Sequence, residues 1–293
     1  MSLRLEMLQV ARLSPRVLGE SSELVAAFLR QQLTAAGGFS DRAGAPDLYY
    51  TVFGLEALIA VHHDPLSPAT RSYLQSFGDG EGLDFIHLCC LARAWATISR
   101  SAPGVSAAAL LARIESFRTP DGGYNAAAQA SSGTAYASFL ALGAYQDLRV
   151  EVPEAYRLLE SIASLRALDG AYGNHAQMAR GQTSATAAAI AVHRQLGAVR
   201  DESLGDWLLA RVHSQGGFTA APEAPIPDLL STATALHALA TLQRPLDDVR
   251  DLSLDFVDTL WTNRGGFYGH WADDHLDCEY TYYGLLALGH LSA

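Results

Sequence analysis

The side chains most capable of chemistry are concentrated near the C-terminus of the chain. The segment 265–288 reads GGFYGHWADDHLDCEYTYYGLLAL. Imidazole, carboxylate and thiolate groups are ligands for divalent metal ions, so Asp277, Cys278 and His275 are candidate metal ligands. Glu279 belongs to the same cluster, but neighbouring helical residues point apart, so these groups cannot all face one site. The alternative is that Asp277 caps a helix, the loop acids are solvated and Cys278 packs between helices.

Four aspartates, Asp47, Asp84, Asp228 and Asp277, each stand directly before a strongly apolar stretch. Aspartate in this position is a common N-cap of a helix and contributes about 1 kcal/mol. If the four helices surround one cavity, their carboxylates converge at its mouth, where they could act as general acid and base. We therefore name Asp228, Asp277 and Asp47 as candidate catalytic residues, and capping stays open as the alternative.

A repeated unit positions these residues. A glycine-aromatic turn, a polar loop and an apolar helix follow one another at Gly37, Gly122, Gly170, Gly216 and Gly265, and a degenerate copy begins at Phe77. An amphipathic segment precedes each turn, so each unit is an outer helix, a turn and a buried inner helix. Units of one period stack into a single body. We therefore predict an all-α fold with a lead-in over 1–20 and one domain over 21–293.

The repeat gives approximate bounds for twelve helices. The outer helices are predicted near 21–33, 66–76, 105–117, 152–166, 201–213 and 247–261, and the inner helices near 47–61, 84–100, 131–145, 181–196, 228–242 and 277–291. An open solenoid normally ends in an atypical polar repeat, whereas the last inner helix here is as apolar as the others. This favours a closed α/α toroid of six helical hairpins.

Aligning the inner helices by their apolar ends predicts which face lines the cavity. One turn below the mouth, this alignment places Tyr50, His87, Thr134, Ser184, Ser231 and Tyr280. Residues three and seven apart share a helix face, so small residues such as Gly54, Ala188 and Gly284 lie deeper, either lining the cavity or allowing close packing. We name Tyr280 as a candidate catalytic residue, and Tyr50, His87 and Ser231 as candidate ligand contacts. For His87, a hydrogen-bonded core position is the alternative.

Aromatic side chains on or near the inner helices could form the walls of a hydrocarbon site. They include Phe53, Trp95, Tyr136, Phe139, Trp271 and Tyr283. Aromatic faces suit a prenyl chain or a developing carbocation, and Trp271 and Tyr283 are named as candidate substrate contacts. Ordinary core packing is the alternative for all of them.

Composition excludes some classes of function. The net charge is −11, and all twenty basic residues are arginine, which argues against nucleic acid or an anionic membrane surface as a partner. No apolar stretch is long enough to span a membrane, and the first residues lack the apolar core of a secretory signal. Three cysteines do not suggest a disulfide framework. We expect a cytoplasmic protein.

The turns, the six helical pairs and the Asp-led inner helices resemble the β-subunit of protein prenyltransferases, over about 21–290. Squalene and terpene cyclases share that family's α/α toroid. The resemblance implies a hydrophobic isoprenoid ligand in the central cavity and a helical α-subunit-like partner. It also places Arg180 at a basic position of the diphosphate site.

The resemblance further implies zinc, held in the family by an Asp-x-Cys pair and a histidine on the last inner helix. Asp228 stands at the aspartate position, but Leu230 replaces the cysteine and Tyr280 replaces the histidine. Two of the three ligands are therefore absent, and zinc sites need about four ligands. The acidic Asp-x-Asp-Asp motif of class II terpene cyclases is also incomplete, because the pairs 247–248 and 273–274 lack its leading aspartate.

The leading hypothesis is a protein that binds a prenyl diphosphate or another polyprenyl compound and transfers or cyclises it by carboxylate-assisted chemistry. One alternative is a non-catalytic toroid that binds a ligand or a partner protein. Another is an α/α-barrel glycoside hydrolase, in which two mouth carboxylates would stand about 5.5 or 6.5–9.5 Å apart. An apolar tube would argue against the hydrolase, and a shallow polar cleft against the isoprenoid.

Overall fold

The computed structural model describes residues 1–98 and 105–292, and these form a helical ring. Two helices open the chain, α1 (Leu3–Ala11) and α2 (Pro15–Leu18). Six hairpins follow, each an outer helix and then an inner one: α3 (Ser22–Gln32) and α4 (Leu48–Ala60), α5 (Pro68–Gln75) and α6 (Phe85–Ile98), α7 (Ala107–Glu115) and α8 (Ala135–Asp147), α9 (Ala155–Ser164) and α10 (Thr183–Gln195), α11 (Ser203–Leu209) and α12 (Leu229–Thr241), α13 (Asp247–Leu260) and α14 (Cys278–Leu291).

The inner helices close on themselves. Each inner helix packs against the next one along the chain, and the last, α14, packs against the first, α4. The predicted closed all-α toroid is therefore confirmed. The N-termini of the inner helices form one end of the ring, here called the mouth, and their C-termini form the other end, called the floor. In the described ranges no helix is both long and apolar enough to cross a membrane.

Four very short strands are the only strands in the described ranges. They form two antiparallel pairs, β1 (Phe39–Ser40) with β2 (Pro46–Asp47) and β3 (Phe218–Thr219) with β4 (Pro227–Asp228). Each pair joins a turn to the start of an inner helix. The strands therefore fix where the inner helix begins.

Buried hydroxyl groups attach the turns to the inner helices. The backbone N–H of Phe39 donates to Oγ1 of Thr51 at 2.9 Å, and that of Phe218 donates to Thr232 at 2.9 Å. The same bond recurs in three further repeats, from Tyr124 to Ser138, from Tyr172 to Thr186 and from Phe267 to Thr281. Each of these hydroxyls belongs to the fourth residue after the helix N-cap. The face of the inner helix that carries this residue therefore packs against the glycine-aromatic turn.

Glycine at the turns allows close packing between repeats. Gly37 has φ of 95°, and a Cβ there would overlap the backbone at Ala69 in α5. Gly265 has φ of 92°, and a Cβ there would overlap the carbonyl group of Leu24 in α3. L-residues with side chains rarely adopt this conformation. The last turn therefore packs on the first outer helix, which closes the outer layer as well.

Several predicted bounds were wrong. The inner helix predicted from 131 begins at Ala135, because the carboxylate of Asp121 accepts the N–H of Gly133 at 3.1 Å and Thr134 supplies the N-cap. The outer helix predicted over 201–213 covers only Ser203–Leu209. The predicted end of the second inner helix at 99–100, and residue 293, lie outside the described residues. The division at residue 20 stays a prediction.

Candidate functional site

A central cavity of about 340 Å³ lies inside the ring. Side chains from α1, α4, α8, α10, α12 and α14 line it. Four aromatic rings make up much of the wall, those of Tyr49, Tyr136, Phe139 and Tyr283. Alanines on α10, including Ala188 and Ala191, leave room opposite them. Among the described residues that line this cavity, none is lysine or arginine.

On α12 the face that lines the cavity differs by one residue from the predicted face, whereas on α10 the predicted Ser184 does line the cavity. On α12 the lining residues are Leu230, Thr234 and His237, which are the second, sixth and ninth residues after the N-cap. The fourth residue faces the turn, and at roughly 100° per residue the second, sixth and ninth lie on the opposite side. On α10 the third residue, Ala185, does line the cavity, but on the four inner helices that follow an aspartate the third residues occupy the flank. This places Tyr50, His87, Ser231 and Tyr280 outside the central cavity, while Tyr283 lines it.

The small residues at the deepest predicted level have two different surroundings. A Cβ on Gly54 would overlap the ring of Phe39, and one on Gly284 would overlap the ring of Phe267. These two glycines therefore accommodate the aromatic residue of the turn and do not line the cavity. Ala188, which was predicted at the same level, does line it.

Glu279 is the acidic side chain that lines the cavity. Burial raises its pKa to about 7, and a hydrogen bond from Tyr49 opposes that rise. The Tyr49 hydroxyl donates to Oε1 of Glu279 at 2.6 Å. A carboxyl group with this pKa is substantially protonated near neutral pH, so it can act as a general acid. The sequence placed Glu279 in the C-terminal cluster but gave it no role.

A pair of neutral histidines lies deeper in the ring. Nδ1 of His237 and Nε2 of His290 are 3.1 Å apart. Burial lowers the pKa of His237 to about 4 and that of His290 to about 3. His237 lines the cavity, seven residues further along its helix than Leu230, which corresponds to about 10 Å along the axis. Sequence reasoning missed His237, and its spacing from Asp228 is the signal that could have found it.

Asp277 is a buried helix N-cap, and Asp228 is a half-buried one. Asp277 accepts the backbone N–H of Tyr280 at 2.8 Å and Nε of Arg42 at 2.9 Å. Asp228 accepts both the N–H and the hydroxyl of Ser231 at 2.7 Å. Burial raises the pKa of both carboxyl groups, against the lowering effect of these bonds. Neither lines the central cavity.

Asp47 belongs to a charged group at the mouth. Its Oδ2 is 3.0 Å from Nε2 of His87, and Nδ1 of the same ring is 2.9 Å from Asp84. The bond to Asp47 and the one to Asp84 raise the pKa of His87 to about 9, although burial opposes the rise. The imidazolium therefore links α4 to the start of α6, outside the cavity.

The other candidate contacts lie at the mouth or on the outside. Arg42 stacks over Tyr280, 5.5 Å from its ring centre, and burial raises the pKa of Tyr50 to about 12. Arg180 is exposed and pairs with Glu223 at 2.5 Å. Trp271 packs on Phe256 and donates to Thr259 at 2.9 Å. None of these four candidates lines the cavity.

The donors near Asp228 do not fit zinc. Both carboxylate oxygens of Asp228 accept hydrogen bonds from Ser231. Leu230, at the cysteine position, offers no ligand atom, and Tyr280, at the histidine position, has its ring stacked under Arg42. Burial raises the pKa of the Cys278 thiol well above its usual range, which disfavours the thiolate that a metal requires.

A separate acidic group occurs in the loop before α14. Of the described residues, Asp273, Asp274 and His275 form the one group of three whose potential ligand atoms lie within 4.8 Å of one another. Asp273 also pairs with Arg42 at 3.0 Å, and the side chains of Asp274 and His275 are exposed. The candidate ligands Asp277 and Cys278 do not belong to this group.

The sequence matches the prenyltransferase alpha-alpha toroid domain over residues 12–76, 83–218 and 195–292. The chain therefore belongs to this family. No curated protein sequence matches it.

Solved structures show the same fold. The type II terpene cyclase MstE from Scytonema, in its apo form, is 14% identical with a TM-score of 0.62, covering 94% of this chain and 97% of that one. A variant of MstE in complex with geranylgeranyl dihydroxybenzoate is 14% identical with a TM-score of 0.61, covering 96% and 98%. At this identity the likeness shows the fold alone.

Proposed function

We propose that the protein is an isoprenoid cyclase that starts its reaction by protonating a carbon–carbon double bond. Glu279 is the proton donor, and the central cavity holds the substrate in a folded shape. The observation that carries the proposal is a carboxyl group with a pKa raised to about 7 in a cavity walled by aromatic rings. Membership of the toroid family, and the cyclase fold of MstE, agree with it.

The walls suit a hydrocarbon and its cations. Tyr49, Tyr136, Phe139 and Tyr283 surround the space next to Glu279. The attraction between an aromatic face and a positive charge is worth about 2 kcal/mol when water is excluded. The faces of these rings therefore stabilise a carbocation formed in the cavity.

Proton transfer follows from the geometry of Glu279. Tyr49 donates to Oε1, which leaves Oε2 to carry the acidic proton. The π electrons of the alkene form a C–H bond with that proton, and the carboxylate left behind is stabilised by the bond from Tyr49. The cation is then attacked by a second double bond of the same chain, which closes a ring.

Loss of a proton completes the reaction. The neutral imidazole of His237 lines the same cavity as the acid and lies about 10 Å deeper along α12 than Leu230, which, like Glu279, is the second residue after its N-cap. It accepts a proton from the carbon beside the final cation, so the product is an isomer of the substrate with one more ring and one fewer double bond. Exchange with solvent returns the proton to Glu279.

The charges favour an uncharged substrate over a prenyl diphosphate. Arg42 at the mouth is already paired with Asp277 and Asp273 at 2.8 and 3.0 Å, and Arg180 is paired with Glu223. The imidazolium of His87 is also paired, with Asp47 and Asp84, and Asp228 adds a carboxylate as a helix cap. A leaving diphosphate needs cationic groups around it. A polyprenyl alcohol, hydrocarbon or prenylated phenol fits better.

The glycoside hydrolase alternative lacks support. The mouth aspartates Asp47, Asp228 and Asp277 are engaged as helix caps and in pairs, outside the cavity. Among the described residues that line the cavity, Glu279 is the one carboxylate, whereas hydrolysis of a glycoside requires a pair. The helical α-subunit-like partner implied by the resemblance stays a prediction.

The test is incubation with farnesol, geranylgeraniol and squalene, followed by gas chromatography with mass spectrometry. We expect a cyclic product with the mass of its substrate. In deuterium oxide the product gains one deuterium from the exchanged acid. Binding of these compounds without conversion would support the non-catalytic toroid. If the protein converts geranylgeranyl diphosphate but none of these compounds, the proposal of an uncharged substrate is wrong.

A further inference from the structure

We infer that Met7, on the N-terminal helix α1, closes the floor of the central cavity and sets the length of the ligand. The inference rests on the proposed function, because it requires an isoprenoid in the cavity. The match to the toroid family begins at residue 12, whereas α1 covers Leu3–Ala11. The helix is therefore a part of this chain that the family match does not include.

Helix α1 is anchored at the floor on one side by α8 and α10. The N–H of Leu3 donates to Oε1 of Gln146 at 2.9 Å, and Nε of Arg4 donates to Asp147 at 2.9 Å. Both partners lie at the C-terminal end of α8. Nε2 of Gln195, the last residue of α10, donates to Glu6 at 3.0 Å. These contacts fix the helix across the ends of two inner helices.

On the other side, α1 packs directly on the last inner helix. A Cβ on Gly289 would overlap the carbonyl oxygen of Val10, so the two backbones meet where α14 ends. α1 also contacts α4. Because α8 and α14 are separated by two helices in each direction around the ring, a helix that touches both crosses the floor.

Met7 is the residue through which α1 reaches the cavity. Its side chain is buried, with 8% exposed, and it lines the central cavity. It also lines a lower cavity of about 60 Å³, whose wall includes Arg4, Arg93 and Asp147 and also the four aromatic rings of the central cavity. The thioether side chain is therefore the part of α1 that, together with these rings, separates the hydrocarbon space from a set of buried charges. A shorter side chain would join the two spaces.

Leu8 provides a matched control on the same helix. It is as deeply buried as Met7, with 6% exposed, but it lines neither the central nor the lower cavity. Leu8→Ala removes core packing from α1 and leaves the floor unchanged. An effect specific to the floor must therefore be absent from this variant.

The experiment compares the whole chain with Met7→Ala, Met7→Phe and Leu8→Ala. Dissociation constants for geraniol, farnesol, geranylgeraniol and geranylfarnesol are measured by calorimetry, after circular dichroism has shown that each variant is folded. We expect the preferred length to rise by one isoprene unit in Met7→Ala and to fall by one in Met7→Phe. The ratio of the constants for neighbouring lengths should change by about tenfold. Leu8→Ala should keep the original profile.

Two outcomes would overturn the inference about the floor. One is an unchanged preferred length in both Met7 variants, and the other is an equal shift in Leu8→Ala, which would indicate general loosening. Failure of all four alcohols to bind the unaltered chain would overturn both this inference and the proposed function. If the preferred length shifts in the Met7 variants but Glu279→Gln still cyclises its substrate, the role of Met7 is supported and the role of Glu279 as proton donor is wrong. Met7→Phe keeps the test decisive if Met7→Ala does not fold.

Discussion

The hydroxyl of Tyr49 donates a 2.6 Å hydrogen bond to Oε1 of Glu279. Tyr49 belongs to the first inner helix and Glu279 to the last, and these two helices are neighbours only because the ring closes. The bond is therefore formed by residues 230 positions apart in the sequence. Closure of the toroid therefore brings Tyr49 into contact with the candidate acid Glu279.

Glu279→Gln should abolish cyclisation while the protein stays folded. The amide cannot donate an acidic proton to an alkene, and a general acid contributes about 10²- to 10⁴-fold to the rate. We expect a loss of at least about 10³-fold in product formation, measured by mass spectrometry at saturating substrate. Binding of the same substrate should change far less, since shape and apolar walls are retained. Turnover within tenfold of the unaltered enzyme would contradict the role of Glu279.

The same variant gives a pH-dependent change in stability. The pKa of Glu279 is raised from 4.5 in the unfolded chain to about 7 in the folded protein, so its favourable contribution is complete below pH 4.5 and is lost as the pH rises to 7. Gln has no such loss. The free energy of unfolding of Glu279→Gln relative to the unaltered chain should therefore increase over this range by on the order of 3 kcal/mol, as measured by urea unfolding. A difference independent of pH would show that Glu279 is not buried as an acid.

Tyr49→Phe should move the pH–rate profile to higher pH. The bond from Tyr49 lowers the pKa of Glu279, so without it the acid form persists to a higher pH and is a weaker donor. We expect the falling limb, near pH 7 in the unaltered enzyme, to shift upward and the plateau rate to drop by about 10- to 100-fold. Tyr50→Phe is the matched control, because Tyr50 lies on the flank and does not line the cavity. A limb that moves to lower pH would contradict this.

The sequence predicted the ring better than it predicted the site. Repeated turns and apolar inner helices identify a closed toroid, because each unit packs its inner helix against the next unit in the same way. The lining face was missed because one residue rotates a helix by roughly 100°, and an alignment by helix ends cannot resolve that step. On α8 the alignment was wrong by three residues, since Thr134, which was predicted one turn below the mouth, supplies the N-cap. Glu279 gains its role only from its long-range contact with Tyr49.

Asn substitutions at Asp228 and Asp277 separate the capping role from the predicted catalytic role. Asparagine caps helices about as well as aspartate, so Asp228→Asn should change the free energy of unfolding by less than about 1 kcal/mol. Asp277→Asn also loses the ion pair with Arg42 and should cost about 1–3 kcal/mol. We expect turnover within about tenfold in both, because neither side chain lines the cavity. Loss of turnover at unchanged stability would instead support the catalytic prediction made from the sequence.

His237→Leu should change the product more than the rate. Protonation at Glu279 does not involve the imidazole, so substrate consumption should stay within about tenfold. The final cation would lose its nearby base, and we expect alcohols from water capture or different alkene isomers in chromatography. His290→Gln is the control, since His290 contacts His237 without lining the cavity. An identical product mixture from His237→Leu would assign the last proton transfer to another group.

Arg4→Met should destabilise the protein in a pH-dependent way by leaving Asp147 without its partner at the floor. The side chain of Asp147 is only 2% exposed, and burial raises its pKa while Arg4 lowers it. Breaking a buried pair from one side costs about 3–5 kcal/mol, measured by urea unfolding at pH 7. In the variant the pKa of Asp147 is higher still, so the deficit should shrink as the pH falls and the carboxyl group is protonated. Adding Asp147→Asn should recover most of the loss at pH 7, and a double variant no more stable than Arg4→Met would show that the pair does not hold α1 in place.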